Sequence, residues 1–294
     1  MVMAKNTPSC TPGGRALSVY EWRTSAWETD EAAAEMLAAA ERLCVDTVHV
    51  DVTVLALEDR RARAEESLEV LLGLAADSPV QVGALAGDPW WTSPEGQVDA
   101  IAIIEALDRV NEASEAPITT LHLDVEPWGL NRWAENKSSL AGQYLDFVSA
   151  IVGARDGRSD STSLHLSFLV PYWFEGGNGE APLVDRDGVS DFPFQHLQSS
   201  DYQQVTWIVM AYRDHAGGRN GVLELLSKPV ALLSDVGLAL ETAPVEPRSI
   251  TFAGEALEDL DRELSIVWEA DLGLSEIVIN DFEHFRELAE STPA

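Results

Sequence analysis

The sequence predicts a single (β/α)8 barrel, an α/β fold of the TIM-barrel class. Eight short apolar or alternating segments take turns with longer segments of helical period from residue 17 to residue 290. Each strand and helix pair occupies about 30 to 40 residues, as expected for one unit of such a barrel. The turn after the first strand, EWRTSAWE, contains no glycine, which disfavours a doubly wound sheet with a phosphate-binding loop.

The elements follow in order along the chain. The predicted strands are residues 16–22, 46–52, 80–87, 118–126, 162–170, 204–212, 237–241 and 275–280. The clearest helices are 30–44, with an acidic first turn, 60–75, with an apolar stripe, and 221–236, which contains Pro229. The fifth unit is the weakest, because a long connection over 173–192 precedes the poor helix FPFQHLQSS. Residues 1–16 are predicted to form an N-terminal tail outside the barrel domain, 17–290.

Charge excludes several classes of partner. The chain has 50 Asp and Glu against 19 Lys and Arg, a formal net charge of -31. Such a surface repels phosphate backbones and anionic lipid, so we expect neither nucleic acid nor membrane as a partner. Without an apolar leader or a long apolar run, the sequence predicts a cytoplasmic protein, or a secreted one whose signal peptide has been removed. It favours no particular oligomeric state.

The two cysteines, Cys10 and Cys44, have neither the spacing of a metal site nor that of a disulfide framework. This spacing favours a reduced compartment. We predict no cofactor and no bound metal.

The stretch TLHLDVEPW ends the fourth strand and alternates apolar with polar residues. Leu121, Leu123 and Val125 are expected to face the helices, which leaves the polar set to face the lumen of the barrel. The residues expected to converge on the lumen are Glu21, His49, Asp51, His122, Asp124, Glu126, Met210, Tyr212 and Glu241. Several carboxylates in one cavity repel each other and raise some of their pKa values, as a general acid requires.

Aromatic residues follow the strand ends, where the mouth of the barrel is predicted. They are Trp22, Trp27, Trp90, Trp91, Trp128, Trp133, Tyr172 and Trp173. Indole faces stack on the apolar faces of sugar rings, so these residues favour an oligosaccharide or another small molecule as substrate. We single out Trp22, Trp90, Trp128 and Trp173, with Glu21, Asp51 and Met210, as substrate-binding candidates. Trp207 and Trp268 lie within a strand and a helix and are predicted to be structural.

LDVE on the fourth strand and MAY on the sixth resemble the active-site signature of family 18 glycoside hydrolases, the chitinases and endo-β-N-acetylglucosaminidases. That family has D-x-D-x-E on strand four and M-x-Y on strand six. The resemblance implies that Glu126 is the general acid, Asp124 orients the acetamide of an N-acetylhexosamine, and Tyr212 supports the acetamide oxygen. Here His122 stands at the first Asp of the signature, Thr119 and Thr120 replace D-G, and no tryptophan ends strand eight.

Other readings stay open. Glu126 followed by Pro127, with Glu241 ending strand seven, resembles retaining glycosidases in which Glu126 would be acid/base and Glu241 nucleophile. A metal-dependent isomerase or lyase would draw its ligands from His49, Asp51, His122, Asp124 and Glu241. A barrel that binds a sugar or an apolar ligand without hydrolysis, and an enzyme that forms a carbocation on an isoprenoid, are two further possibilities.

Overall fold

The computed structural model describes residues 17–158, 164–176, 180–198, 202 and 204–291. The predicted tail, 1–16, lies outside these residues. Within them the strands are β1 Leu17–Glu21, β2 Thr47–Asp51, β3 Gln81–Ala86, β4 Thr120–Leu123, β5 His165–Pro171, β6 Val184–Arg186, β7 Val189–Asp191, β8 Val205–Met210, β9 Val236–Glu241 and β10 Ile277–Asn280. Eight of them are parallel and close a barrel in the order β1-β10-β9-β8-β5-β4-β3-β2, which confirms the predicted fold.

Helices surround this barrel. In the described ranges they are α1 Asp30–Arg42, α2 Glu58–Ala75, α3 Pro94–Ala113, α4 Trp133–Asp156, α5 Pro193–His196, α6 Val222–Leu232, α7 Leu257–Glu269 and α8 Phe282–Ser291. The apolar stripe predicted on α2 is buried, from Ala64 to Ala75. Pro229 lies inside α6, which ends three residues later, and none of these helices is both long and apolar enough to cross a bilayer.

The structure explains why the fifth unit has a weak helix pattern in the sequence. Its helix, α5, is a single turn, and the long connection before it contains the antiparallel hairpin of β6 and β7. Arg186 of β6 donates a hydrogen bond from Nη1 to Asp146 on α4 at 2.7 Å, so the hairpin packs beside α4. Val184 of the hairpin is also buried in the main core, so the hairpin adds apolar cover beside the short helix α5.

The strands have two differently packed faces. Leu121, Leu123 and Val125 are fully buried in the main core between strands and helices, as predicted. In the same core Phe168 stacks on Trp207, with ring centroids 5.7 Å apart, which confirms a structural role for Trp207. Burial of one such side chain contributes roughly 1.5 to 3 kcal/mol. A smaller cluster that includes Tyr20, Leu169, Met210 and Val278 fills part of the lumen.

One expectation from composition is wrong. Cys44 lies two residues after the end of α1 and is disulfide-bonded, so the spacing of two cysteines did not reveal the bond. The argument for a reduced compartment therefore loses its basis, because disulfides persist mainly in oxidising environments.

Candidate active site

The polar face of β4 continues past the end of the strand into the mouth of the barrel. The backbone amide of Asp124 donates to the carbonyl of Ala86 on β3 at 2.9 Å, which extends the pairing by one residue. Gly87 directly follows β3, and a Cβ atom there would overlap the carbonyl oxygen of Asp124. A glycine is therefore required beside Asp124, and the close approach fixes the height at which Asp124 and Glu126 enter the mouth.

Asp124 and Glu126 form a coupled carboxyl pair. Their side chains share a hydrogen bond, and Trp128 gives Glu126 a second one. Burial, and then repulsion from Glu126 and Glu241, raises the pKa of Asp124 well above its ordinary value. Burial also raises the pKa of Glu126, although its two hydrogen bonds oppose the rise. The doubly ionised pair is thus disfavoured relative to a pair that holds one proton.

One oxygen of this pair is left without a partner. Asp124 Oδ1 is buried, and no group in the described part of the chain forms a hydrogen bond with it. An unpaired carboxylate oxygen in a cavity is a ready acceptor for a donor on a bound molecule.

Tyr212 and Met210 reach the same cavity from β8. Met210 ends the strand, and Tyr212 lies two residues beyond it on the lumen face. Burial, and the charges of Asp124, Glu241 and Glu126, raise the pKa of Tyr212 well above 10. The phenol therefore keeps its proton at any working pH and can donate a hydrogen bond into the cavity.

Glu241 approaches from β9, held by two donors. Asn280 Nδ2 on β10 donates to Glu241 Oε2, and the backbone amide of Ala243 donates to Oε1, each at 2.7 Å. Asn280 Oδ1 in turn accepts from Trp22 Nε1 at 2.8 Å. Burial raises the pKa of Glu241 to about 7, although both hydrogen bonds oppose the rise. Three neighbouring strand ends thus position Trp22, Asn280 and Glu241 as one chain of hydrogen bonds.

Aromatic rings from the loops after β4 and β5 stand beside the carboxyl pair. The Trp128 ring lies 5.8 Å from that of Trp173 and 5.3 Å from that of Phe174, both edge to face. Trp133 contacts both indoles at 6.4 and 5.9 Å. These ring contacts hold the Trp128 indole next to Glu126. We call this set the aromatic cluster: Trp128, Trp133, Trp173 and Phe174.

Glu21 is not in the lumen, contrary to the prediction. Tyr20 and Trp22 occupy the lumen face of β1, and strand alternation turns Glu21 to the opposite face. There its two oxygens accept from Nε and Nη2 of Arg23, both at 2.9 Å, and Arg23 also pairs with Glu283 on α8. The sequence of β1 did not show this, because its two faces each carry a residue with a polar group, Tyr20 on one and Glu21 on the other.

Other predicted residues lie at the side of the mouth. Asp51 lines a cleft of about 670 Å³ near the ends of β1 to β3, together with Trp27 and Trp91. Those two indoles are 1% and 2% exposed, so they pack into the core and do not present their faces at the mouth. Trp90 is 51% exposed on the turn after β3.

The histidines of β2 and β4 meet below the carboxyl pair. The rings of His49 and His122 stack at 3.7 Å, and both lie beside Glu276, the residue before β10. Burial, and then the neighbouring His122, lower the pKa of His49 to about 4. The ligand set considered from sequence is therefore wrong, because the histidines converge with Glu276 and not with Asp51, Asp124 or Glu241.

Sequence reasoning missed three residues of the lumen: Tyr20, Asn280 and Glu276. A signal for them existed, since residues 276, 278 and 280 share one face of β10, and 18, 20 and 22 share one face of β1. Each of these faces mixes polar with apolar residues, so alternation alone did not show which side was inside.

Comparison with known proteins agrees on the fold. No family model matches the sequence, and no curated protein matches it. Among solved structures the chain is similar to an exo-β-1,4-mannosidase from Opitutaceae bacterium strain TAV5, at 14% identity and a TM-score of 0.59 over 94% of this chain and 55% of the other. A family 18 chitinase from Pseudoalteromonas aurantia aligns at 12% identity and a TM-score of 0.53, over 94% of this chain and 100% of the other.

A D-psicose 3-epimerase from Clostridium cellulolyticum H10 also aligns, at 12% identity and a TM-score of 0.50, over 90% of this chain and 84% of the other. The chain spans little more than half the length of the mannosidase. At these identities the likeness shows the barrel fold. Barrel glycoside hydrolases of several families are among the structures that share it.

Proposed function

We propose that this protein is a glycoside hydrolase that acts on an N-acetylhexosamine-containing glycan, with Glu126 as the general acid. The observation that carries the proposal is the hydrogen-bonded Asp124 and Glu126 pair at the mouth of the barrel, with both pKa values raised. A general acid must hold a proton near neutral pH, and burial beside a second carboxyl supplies it. The neighbouring indole of Trp128 is a hydrogen-bond donor to the Glu126 carboxyl.

In the first step the proton held by the pair passes through Glu126 to the glycosidic oxygen, and the bond to the anomeric carbon breaks. The acetamide oxygen of the sugar forms the new bond to that carbon, so no protein nucleophile is needed. Asp124, left as the carboxylate, accepts the acetamide N–H at Oδ1, the oxygen that has no partner among the described residues. Tyr212 donates its hydroxyl to the acetamide oxygen.

In the second step Glu126, now ionised, takes a proton from water as the water oxygen attacks the anomeric carbon. The ring formed by the acetamide opens, and the pair regains its single proton. Between the two steps both carboxyls are ionised, and the positive charge on the cyclised acetamide, whose N–H bonds to Asp124, offsets the second negative charge.

Substrate binding is assigned to the walls of the mouth. The aromatic cluster provides a face for a pyranose ring beside Glu126, chiefly through Trp128 and Trp173. Trp22 and Met210 belong to the lumen cluster beside Trp128 and line the same cavity. Asp51, in the cleft at the side of the mouth, and the exposed Trp90 would meet the parts of a longer glycan that extend beyond it. Glu21 has no part in this proposal.

A second candidate mechanism is a double displacement in which Glu241 is the nucleophile and Glu126 the acid/base. The position of Glu241 supports this role. Asn280 and the backbone amide of Ala243 hold its carboxyl by hydrogen bonds, and its charge is close enough to raise the pKa of Asp124. Its pKa of about 7, however, leaves half of it protonated at neutral pH, which is unsuited to a nucleophile. We therefore assign Glu241 a supporting role as a charge near the reacting sugar.

Two probes separate these routes on the purified full-length chain. Aryl N-acetyl-β-hexosaminides and chito-oligosaccharides should be hydrolysed across a pH series, and a thiazoline that mimics the cyclised acetamide should inhibit. A covalent adduct on Glu241 from a 2-fluoro glycoside, without thiazoline inhibition, would assign the double displacement. Saturable binding of oligosaccharides with no turnover would instead identify a ligand-binding barrel.

A further inference from the structure

A second polar cluster lies in the lower lumen of the barrel, formed by His49, His122 and Glu276. We propose that it binds one divalent transition metal ion, of the class represented by Zn²⁺, through His49 Nε2, His122 Nε2 and a Glu276 carboxylate oxygen. This site is separate from the carboxyl pair at the mouth and takes no part in the proposed hydrolysis. Its donors come from β2, β4 and the residue before β10, so a bound metal would join three strands of the barrel.

The spacing of the donor atoms fits a small cation. His122 Nε2 lies 3.2 Å from Glu276 Oε1, and His49 Nε2 lies 3.7 Å from Glu276 Oε2. One ligand atom from each of the three residues falls within 4.8 Å of the others. A tetrahedral zinc ion with bonds near 2.1 Å sets its ligands about 3.4 Å apart, which lies within the 4.8 Å span of these ligand atoms.

Unpaired nitrogen atoms give an independent indication of a ligand. Among the described residues neither ring nitrogen of His49 has a hydrogen-bond partner, nor has His122 Nε2, and the two side chains are 2% and 0% exposed. The contacts with Glu276 are close but do not have hydrogen-bond geometry. Buried polar atoms in proteins are almost always paired, and a cation at the centre of this cluster would satisfy both Nε2 atoms at once.

Surrounding groups orient the ligands as metal sites require. The hydroxyl of Tyr20 lies 2.9 Å from His122 Nδ1, which leaves Nε2 directed at Glu276. Ser18 Oγ donates to Glu276 Oε2 at 3.1 Å. On β3 a Cβ atom at Gly83 would overlap the His49 ring, so the glycine makes the space that this imidazole occupies. Such second contacts on the far side of each ligand are typical of metal centres.

The route into the site and the type of its donor atoms limit which metal ions it can bind. Glu276 is 17% exposed and precedes β10, so the cluster is reached from the amino-terminal face of the barrel, opposite the mouth. Two imidazoles and one carboxylate suit Zn²⁺, Co²⁺, Ni²⁺ or Cu²⁺, whereas Mg²⁺ and Ca²⁺ prefer oxygen donors alone. Three protein ligands leave a position for water, and the metal would hold β2, β4 and β10 together.

The test uses the full chain, stripped with a chelator, desalted, and titrated with ZnCl₂ by calorimetry. We expect one equivalent to bind, and Co²⁺ in its place to give a visible ligand-field spectrum. Glu276→Gln and His49→Gln should each weaken Zn²⁺ binding by at least about 100-fold, and Tyr20→Phe by about 10-fold. At a free Zn²⁺ concentration about 100 times Kd, the Tm should rise by roughly 5 °C.

His165→Gln is the matched control, because His165 starts β5 nearby but pairs with Thr206 at 2.7 Å. It should bind Zn²⁺ like the wild-type chain. Glu276 is partly exposed, so the Gln variant tests the site even if a His122 variant fails to fold. Absence of stoichiometric Zn²⁺ binding to the wild-type chain, or binding that survives both Glu276→Gln and His49→Gln, would overturn the proposal.

Discussion

The mouth and the base of this barrel are built on the same strand but have different chemistry. β4 directs His122 into the base and, two and four residues later, Asp124 and Glu126 into the mouth. In the mouth two carboxyls with raised pKa values lie beside an aromatic cluster. In the base two imidazoles face the carboxylate of Glu276. Burial by itself would raise the pKa of Glu276, but the neighbouring His122 keeps this pKa well below its ordinary value.

The difference shows that height in the lumen decides what a polar residue can do. At the mouth the flanking loops add tryptophans and leave room for a ligand, so a raised pKa can act on a substrate. At the base the strands are closely paired, and the same lumen face is enclosed by Tyr20, Ser18 and Gly83. A residue there can meet only a small ion or another side chain.

The largest effect is expected at Glu126. Glu126→Gln keeps the shape of the side chain but removes the transferable proton, so kcat/KM on an N-acetylhexosaminide should fall by about 10²- to 10⁴-fold. Glu21→Gln is the matched control, because Glu21 also ends a strand but faces Arg23. Steady-state kinetics on the folded variants would measure kcat/KM for both. If Glu126→Gln kept wild-type activity, Glu126 could not be the general acid.

Two glycines on β3 and just after it allow the mouth and base to be perturbed separately. Gly87→Ala forces a Cβ against the Asp124 carbonyl, and Gly83→Ala forces one against the His49 ring. Each should lower the free energy of unfolding by about 1 to 3 kcal/mol, measured by urea denaturation. Gly87→Ala should also reduce kcat, while Gly83→Ala should mainly weaken Zn²⁺ binding. Equal effects of both on kcat would show that the two regions are not independent.

The mouth and base should respond to pH with opposite signs. Glu241 has a pKa of about 7, above 4.5, so its protonated form stabilises the fold below pH 4.5, and this contribution is lost as pH rises to 7. Relative to the wild-type chain, Glu241→Gln should therefore gain about 3 kcal/mol between pH 4.5 and 7. Denaturant titrations across this range would check the slope, and a constant difference would contradict the raised pKa.

His49 gives the opposite slope. Its pKa is lowered from 6.5 to about 4, so the neutral ring stabilises the fold above pH 6.5, and this contribution is lost as pH falls to 4. With a chelator present, His49→Gln should gain about 3 kcal/mol relative to the wild-type chain between pH 6.5 and 4. The same denaturant titrations apply, and a gain on raising the pH would contradict the assignment.

The smallest effect concerns the whole surface. A net charge of -31 repels itself in the folded state, so moderate salt should raise the Tm by a few degrees through screening. Because the carboxyl pair and the His49 cluster are largely shielded from solvent, their variants should keep the same salt dependence. Scanning calorimetry from low to molar salt would test this, with sulfate and chloride compared to separate specific ion effects.

Much of the fold followed from local pattern. Strand and helix periods are local properties, so the eight barrel strands, the buried stripe on α2 and the weak fifth unit were all predicted from the sequence. On β4 the alternation also placed Leu121, Leu123 and Val125 outside, because that strand divides cleanly into apolar and polar faces. The carboxyls of Asp124 and Glu126 were consequently expected in the lumen.

Only the tertiary structure decided which face of a mixed strand lies inside. β1 offers Tyr20 and Trp22 on one face and Glu21 on the other, and the closure of the barrel against β10 turned Glu21 outward to Arg23. The meeting of His49, His122 and Glu276, and the support of Glu241 by Asn280, depend on strand register between residues far apart in sequence. Alternation determines that two residues share a face, but only the closed register of eight strands determines which residues that face will meet.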